Sequence, residues 1–234
     1  TCLITSCAHK SGHRRDREHP RPTTSVHSDR KSSTSTSSRR NVHNERTSEK
    51  LEGAEIFERF GTAVFMVFTT DGSNTYQGSG FFIDNGGLAV SNYHVFKGTG
   101  MGLEQIKLAG SDVAYKVTEI ITRSEDEDFI LFRVDCENNN YIPIATEKPK
   151  IGEKVYAIGS PRGLENTFSS GEVSQWRADN LMQISALIDH GSSGGALINE
   201  YGEVVGITSG SFADGSQANL NYAWSIDIVK PYLR

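Results

Sequence analysis

Residues 189–198, DHGSSGGALI, set two serines among three glycines just ahead of a small aliphatic run. Backbone nearly free of Cβ atoms can turn sharply and let consecutive N–H groups converge on one point, as in an anion-binding nest. Three readings fit such a stretch: a plain reversal, a phosphate cradle, or a nucleophile beside an oxyanion hole. A phosphate loop wants Gly-Lys-Ser/Thr leading into a helix. Here no lysine follows, and strand-like ALI comes next. A serine nucleophile requires a general base, an acid that orients the base, and donors for the oxyanion. The chain supplies a candidate for each. LAVSNYHVF (88–96) puts His94 in a short polar turn past an apolar run, and SEDEDFILFRV (124–134) puts Asp128 where an acidic loop enters another. Ser193 lies in the glycine-rich turn, whose N–H donors would be the largest electrostatic aid to acyl transfer. Singly, each has a plainer reading: a reversal, a structural histidine, an acid before a strand. Together in one β-rich chain they point to nucleophilic catalysis. Asp126, outside the apolar run, is the second candidate acid. His190 stands three residues from Ser193 and belongs to the turn itself.

The elements that must hold these residues are short, β-branched or aromatic, and bounded by turn residues. Candidate strands cover 62–69, 76–83, 87–91, 105–109, 113–122 and 128–134, then 154–159, 167–176, 181–186, 195–198, 203–209 and 220–226. Turn signals such as TDGSN, DNGG and NEYGE separate them. Twelve strands with almost no helix between them predict an all-β fold. The Asn-, Pro- and Lys-rich gap at 135–153 divides them six and six, so two six-stranded antiparallel β-barrels are expected, about 61–140 and about 150–234. Ahead of them, Leu51, Ala54, Phe57 and Phe60 recur every three residues, as on one face of a short N-terminal helix.

Charge divides the 234-residue chain in two. Residues 1–50 hold 11 Lys+Arg and 5 Asp+Glu, whereas residues 51–234 hold 13 and 24. Five of the seven histidines lie in the first fifty. Residues 8–50 are almost free of apolar side chains and include SSTSTSS, a composition that cannot offset the entropy of ordering; they read as a disordered basic linker. With no aromatic residue for base stacking, the linker is not read as a nucleic-acid-binding segment. Its histidines match no closed metal site, and neither metal nor cofactor is expected. Residues 1–7, TCLITSC, are similar to the end of a signal peptide running into a lipobox, which would make Cys7 a lipidation site and a membrane tether. That places the domain, residues 51–234, in the cell envelope. Cys136 alone remains there, so no disulfide framework is expected. No stretch approaches the roughly 20 apolar residues of a spanning helix.

The chain resembles the chymotrypsin-fold serine peptidases, and among them the bacterial HtrA/Deg-type proteases. GSGFFIDNGGLAVSNYHVF (78–96), DFILFRV (128–134), AIGSPRGLENTFSSGEVS (157–174), ISALIDHGSSGGALINEYGEVVGITSG (184–210) and NYAWSIDIVKPYL (221–233) carry the resemblance in order across about 55–234. It implies two barrels with a cleft between them, a short C-terminal helix, and polypeptide substrates. Residue by residue, it implies Ser193 as nucleophile, His94 as base and Asp128 as orienting acid. Gly191 and Ser193 would form the oxyanion hole, and Ser209, Gly210 and Ser211 the edge on which substrate adds a strand. Leu187 stands where a trypsin-like pocket carries Asp, which implies a preference for apolar or small side chains at the cleaved residue. Two positions depart from the pattern: Ser192 replaces Asn, and Ala196 replaces Pro. No PDZ-like segment follows Arg234, so chaperone-protease behaviour is not implied. A protease-fold module that binds peptides without cleaving them, or an enzyme latent until its turn is ordered, remains the alternative. The sequence does not speak to oligomeric state.

Overall fold

The computed structural model describes residues 47–100, 102–160, 166–211 and 220–233. The segments read as lipobox and most of the linker, with Cys7, lie outside them. Thr47 and Lys50 engage the body: Thr47 N–H donates to the Tyr201 carbonyl, and Lys50 Nζ donates to Glu200 at 2.5 Å. Helix α1 (Gly53–Phe60) follows, with Glu55 reaching back to the Glu52 N–H at 2.8 Å. Of the three-residue series the helix buries Phe60 but neither Ala54 nor Phe57. Ile56 and Phe60, four apart, are fully buried, whereas Phe57 is partly exposed and meets Phe168 edge-on.

Among the described residues thirteen strands form two antiparallel sheets. β1 (Val64–Thr70), β2 (Thr75–Phe82), β3 (Leu88–Ser91), β4 (Gln105–Leu108), β5 (Ala114–Tyr115), β6 (Val117–Ser124) and β7 (Phe129–Val134) make the first, in the order β5-β4-β1-β2-β3-β7-β6. β8 (Lys154–Gly159), β9 (Thr167–Ala178), β10 (Leu181–Ile184), β11 (Ala196–Asn199), β12 (Val204–Ser211) and β13 (Asn221–Ser225) close a barrel in the order β10-β13-β12-β11-β8-β9. The run 113–122 thus becomes two strands rather than one. Tyr115 pairs with Ile106 on β4, whereas Val117 pairs with Val134 on β7, so the chain turns a corner at Lys116 between opposite edges of one sheet. Among the described residues the first sheet therefore has seven strands, not six, and its edges β5 and β6 do not pair. The closing helix is two short 3-10 turns, Ile226–Ile228 and Lys230–Tyr232; Pro231 lacks the N–H a longer helix would use. Among the described residues no helix is long and apolar enough to cross a membrane.

Strand periodicity explains how the sheets share a core. Along β1, Phe65 and Val67 point into a cluster with Phe82, Phe96 and Phe132, while Val64 faces a second cluster with Ile56, Phe81, Ile158, Ile198 and Val204. The second cluster draws on α1, the first sheet and the barrel together. The barrel's own filling, Val155, Val173, Met182, Leu197 and Val205, lies on its other face.

Candidate active site

Helix α2 (Tyr93–Phe96) carries His94, and Asn92 is its N-cap. An N-cap asparagine usually accepts an N–H of the first turn. Here the Asn92 side chain turns away and donates from Nδ2 to the Asp128 carbonyl at 2.8 Å. The cap comes from Asp128 instead, whose Oδ1 accepts the His94 N–H at 2.9 Å. Asp128 closes the acidic turn 125–128, its N–H donating to the Glu125 carbonyl, and it sits in the left-handed region at φ +47° before β7 begins. Aspartate tolerates that conformation better than most residues.

The same carboxylate orients the ring. His94 Nδ1 lies 2.8 Å from Asp128 Oδ2 and 3.0 Å from Oδ1, and the Ser209 hydroxyl donates to Oδ2 at 2.9 Å. An ionised carboxylate only accepts, so Nδ1 carries the proton and Nε2 is left free to act as a base. The Asp128 side chain is 17% exposed and that of His94 46%, which puts a half-buried acid behind an open imidazole. Asp126 is exposed and makes no bond to His94 among the described residues.

Ser193 occupies a turn fastened from both sheets. The Ser193 carbonyl accepts the Ser79 N–H at 2.8 Å, and the Gly194 N–H donates to the Thr208 carbonyl at 2.7 Å. Gly194 has φ +86°, and a Cβ there would fall 2.2 Å from the Ser79 carbonyl oxygen and 3.1 Å from Asn92 N. Only glycine lets the turn approach the His94 segment this closely. Ser193 Oγ faces Gly210, where an added Cβ would come within 3.4 Å. A pocket of about 140 Å³ opens there, lined by Ile188, Asp189, His190, Ser193, Ser209 and Gly210. Ser209 binds Asp128 and lies beside Gly210, so the serine, the acid and its histidine are linked through adjoining residues. Among the described residues no hydrogen bond joins the Ser193 hydroxyl to His94.

The turn's N–H groups sort into two sets. Those of Ser192, Gly194 and Gly195 donate to the carbonyls of Asp189, Thr208 and Ser192. Those of Gly191 and Ser193 donate to nothing among the described residues, and neither does anything donate to the His190 carbonyl. Two unspent donors beside a serine can stabilise an oxyanion. Leu187 is 67% exposed and does not line the pocket; its neighbour Ile188 does. On the β11 side the β12 ladder ends at Thr208, which leaves Ser209–Ser211 without a strand partner there among the described residues. Sequence reasoning did not single out Asn92, Ser79 or Thr208, all of which fasten this site.

The family model described as a trypsin-like peptidase domain matches residues 78–207. A probable periplasmic serine endoprotease, DegP-like, from Halomonas elongata is 31% identical over 184 residues, 74% of this chain and 38% of its own length. Protease Do-like 1, chloroplastic, from Arabidopsis thaliana is 28% identical over 168 residues, 65% of this chain and 37% of its own. The crystal structure of the serine endoprotease from Yersinia pestis superposes with a TM-score of 0.67 at 27% identity, covering 78% of this chain and 65% of that one. The chain thus spans little more than a third of these two curated relatives.

Proposed function

The chain belongs to the trypsin-like peptidase domain family, and from that premise we propose that it is a serine endopeptidase acting through Ser193, His94 and Asp128. His94 Nε2 takes the Ser193 hydroxyl proton as Oγ bonds to the scissile carbonyl carbon. The charge on the carbonyl oxygen falls to the N–H groups of Gly191 and Ser193. The imidazolium, steadied by Asp128, returns the proton to the leaving amine as the C–N bond breaks. Water then repeats the sequence on the acyl-enzyme, with His94 again as base. The observation that carries the reading is the His94 Nδ1 to Asp128 Oδ2 contact of 2.8 Å, backed by Ser209 and set beside a serine whose turn keeps two donors unspent.

Substrate backbone would add along Ser209–Ser211. A preference for apolar or small side chains at the cleaved residue is supported by Ile188 in the pocket. Asp189 also lines that pocket, so a peptide library that returned arginine at this position would reassign it. The domain belongs in this reading to a bacterial cell envelope, as its likeness to the probable periplasmic endoprotease of Halomonas suggests, tethered through a lipidated Cys7. Intact mass of the protein from its native membrane tests the tether, since lipidation at Cys7 requires loss of Thr1–Ser6.

One observation favours a latent form of the same enzyme. The His190–Gly191 peptide bears one of the two unspent donors and is anchored at neither its carbonyl nor its N–H among the described residues. A fluorophosphonate probe on the parent and on Ser193→Ala separates the cases. Labelling that disappears in the variant supports an assembled site. A folded parent that does not label would point to latency or to a peptide-binding module.

A further inference from the structure

Ser79 lies on β2 in the first sheet, yet three of its polar contacts reach the barrel. Its N–H donates to the Ser193 carbonyl at 2.8 Å, and its hydroxyl donates to the Gly191 carbonyl at 2.7 Å. The same hydroxyl oxygen accepts the Ser160 N–H at 2.9 Å, and the Ser79 carbonyl accepts the Ser91 hydroxyl at 2.7 Å. The residue is fully buried and no polar atom is idle. A hydroxyl has one proton and the Ser160 N–H can only donate, so the Ser79 proton has a single destination, the Gly191 carbonyl. Thr208 on β12 makes the counterpart from the other side. Its hydroxyl donates to the Ser192 carbonyl at 2.7 Å, its carbonyl accepts the Gly194 N–H at 2.7 Å, and its N–H donates to the Gly195 carbonyl at 2.9 Å.

We propose that Ser79 and Thr208 are positioning residues that set the donors of the nucleophile turn, one hydroxyl reaching in from each sheet. A trans peptide aims its carbonyl and N–H in opposite directions. Fastening the Ser192 carbonyl to Thr208 therefore turns the Ser193 N–H away from β12 and leaves it unspent. Fastening the Gly191 carbonyl to Ser79 commits the next N–H, that of Ser192, to the Asp189 carbonyl at 2.9 Å. Both hydroxyls act through backbone and neither needs to touch substrate. The assignment rests on the serine-peptidase reading and deepens it.

The test uses Ser79→Ala and Thr208→Val, with Thr208→Ser as the conservative variant. Each deletion lowers kcat by about 10- to 100-fold, below the loss from removing an oxyanion donor outright, while KM stays within about threefold. Affinity for a peptide boronic acid falls in parallel with kcat, because Ser193 Oγ adds to boron as its proton passes to His94, and the boronate oxygen then calls on the same donors. Thr208→Ser recovers most of both. Amide exchange at Ser192 accelerates in Ser79→Ala, a readout that needs no turnover. Unchanged kcat, boronate affinity and exchange in variants that merely melt earlier would overturn the assignment. A folded parent that neither cleaves nor labels points instead to the latent or peptide-binding reading, and exchange then decides the positioning role alone. Should Ser79→Ala not fold, Thr208→Val read against Thr208→Ser carries the decision.

Discussion

His94 and Asp128 are joined twice, once through the ring and once through the backbone. One carboxylate faces Nδ1 at 2.8 Å and accepts the main-chain N–H of the same histidine at 2.9 Å. Asp128 thus both orients the His94 ring and caps the helix that carries it.

Those two duties separate by substitution. Asp128→Asn keeps a side chain that tolerates the left-handed backbone and still offers an oxygen to the His94 N–H, so its melting temperature stays close to the parent's. Its kcat falls on the order of 10⁴-fold, because the amide stabilises the wrong imidazole tautomer. Asp128→Ala loses a similar amount of activity. It also loses about 1–2 kcal/mol from the strained φ alone. Peptide hydrolysis and thermal melts on both variants check this. An Asn variant as unstable as the Ala variant would count against the cap.

Two glycines with the same torsion should behave differently. Gly194 has φ +86°, and an added Cβ would meet the Ser79 carbonyl at 2.2 Å and the Ser91 hydroxyl at 2.4 Å. Gly72 has φ +91° with nothing within 4 Å. Gly72→Ala costs about 1–2 kcal/mol, the price of the torsion. Gly194→Ala forces backbone apart and costs roughly 4 kcal/mol or more, with probe labelling abolished. Chemical denaturation of both variants measures the difference.

Acid titration should reveal Asp71 at the tip of the β1–β2 hairpin. The N–H groups of Asn74 and Ser73, then the Tyr76 hydroxyl, hold its carboxyl well below the usual carboxylate range. A depressed folded-state pKa gives stability that is complete above the unfolded value, roughly 3.9, and is lost as pH falls toward the folded one. The gap in melting temperature between the parent and Asp71→Ala is therefore widest above pH ~5 and narrows below pH ~4. A gap independent of pH would dismiss the charge as its origin.

Cys136 should be sluggish toward alkylation. Burial, then the neighbouring Asp135 charge, pushes its thiol pKa up, and only the thiolate reacts. Iodoacetamide modification measured by mass is slow at pH 7.5 and accelerates above the ordinary thiol value of roughly 8.5. Rapid modification at neutral pH would show a more open thiol than the structure gives.

Short β-branched runs and turn dipeptides announced nearly every strand, because that signal is local. The corner at Lys116 was not announced: VAYKVTEIIT reads as one continuous strand, and the break arises only because its halves pair with opposite edges. Likewise Phe57 has the spacing of a core residue, but where α1 docks, Ile56 and Phe60 turn inward instead. At the site, residue type and flanking pattern singled out His94, Asp128 and Ser193, for which few chemical roles are available. Ser79, Asn92 and Thr208 carried no such mark. A buried serine in a strand looks ordinary, and the bond from Ser79 to Gly191 spans 112 residues. The positive φ of Asp128 was equally hidden, since it follows from closing one turn onto another element.

That long span also sets an order in time. Emerging from the ribosome N-terminus first, the chain completes β2 and its Ser79 long before Gly191 exists. When the Ser193 turn does emerge, its holder on the far side is already in place. A chain interrupted anywhere before the turn carries His94 and Asp128 but not Ser193, so on the proposed reading a half-made copy cannot cleave its neighbours.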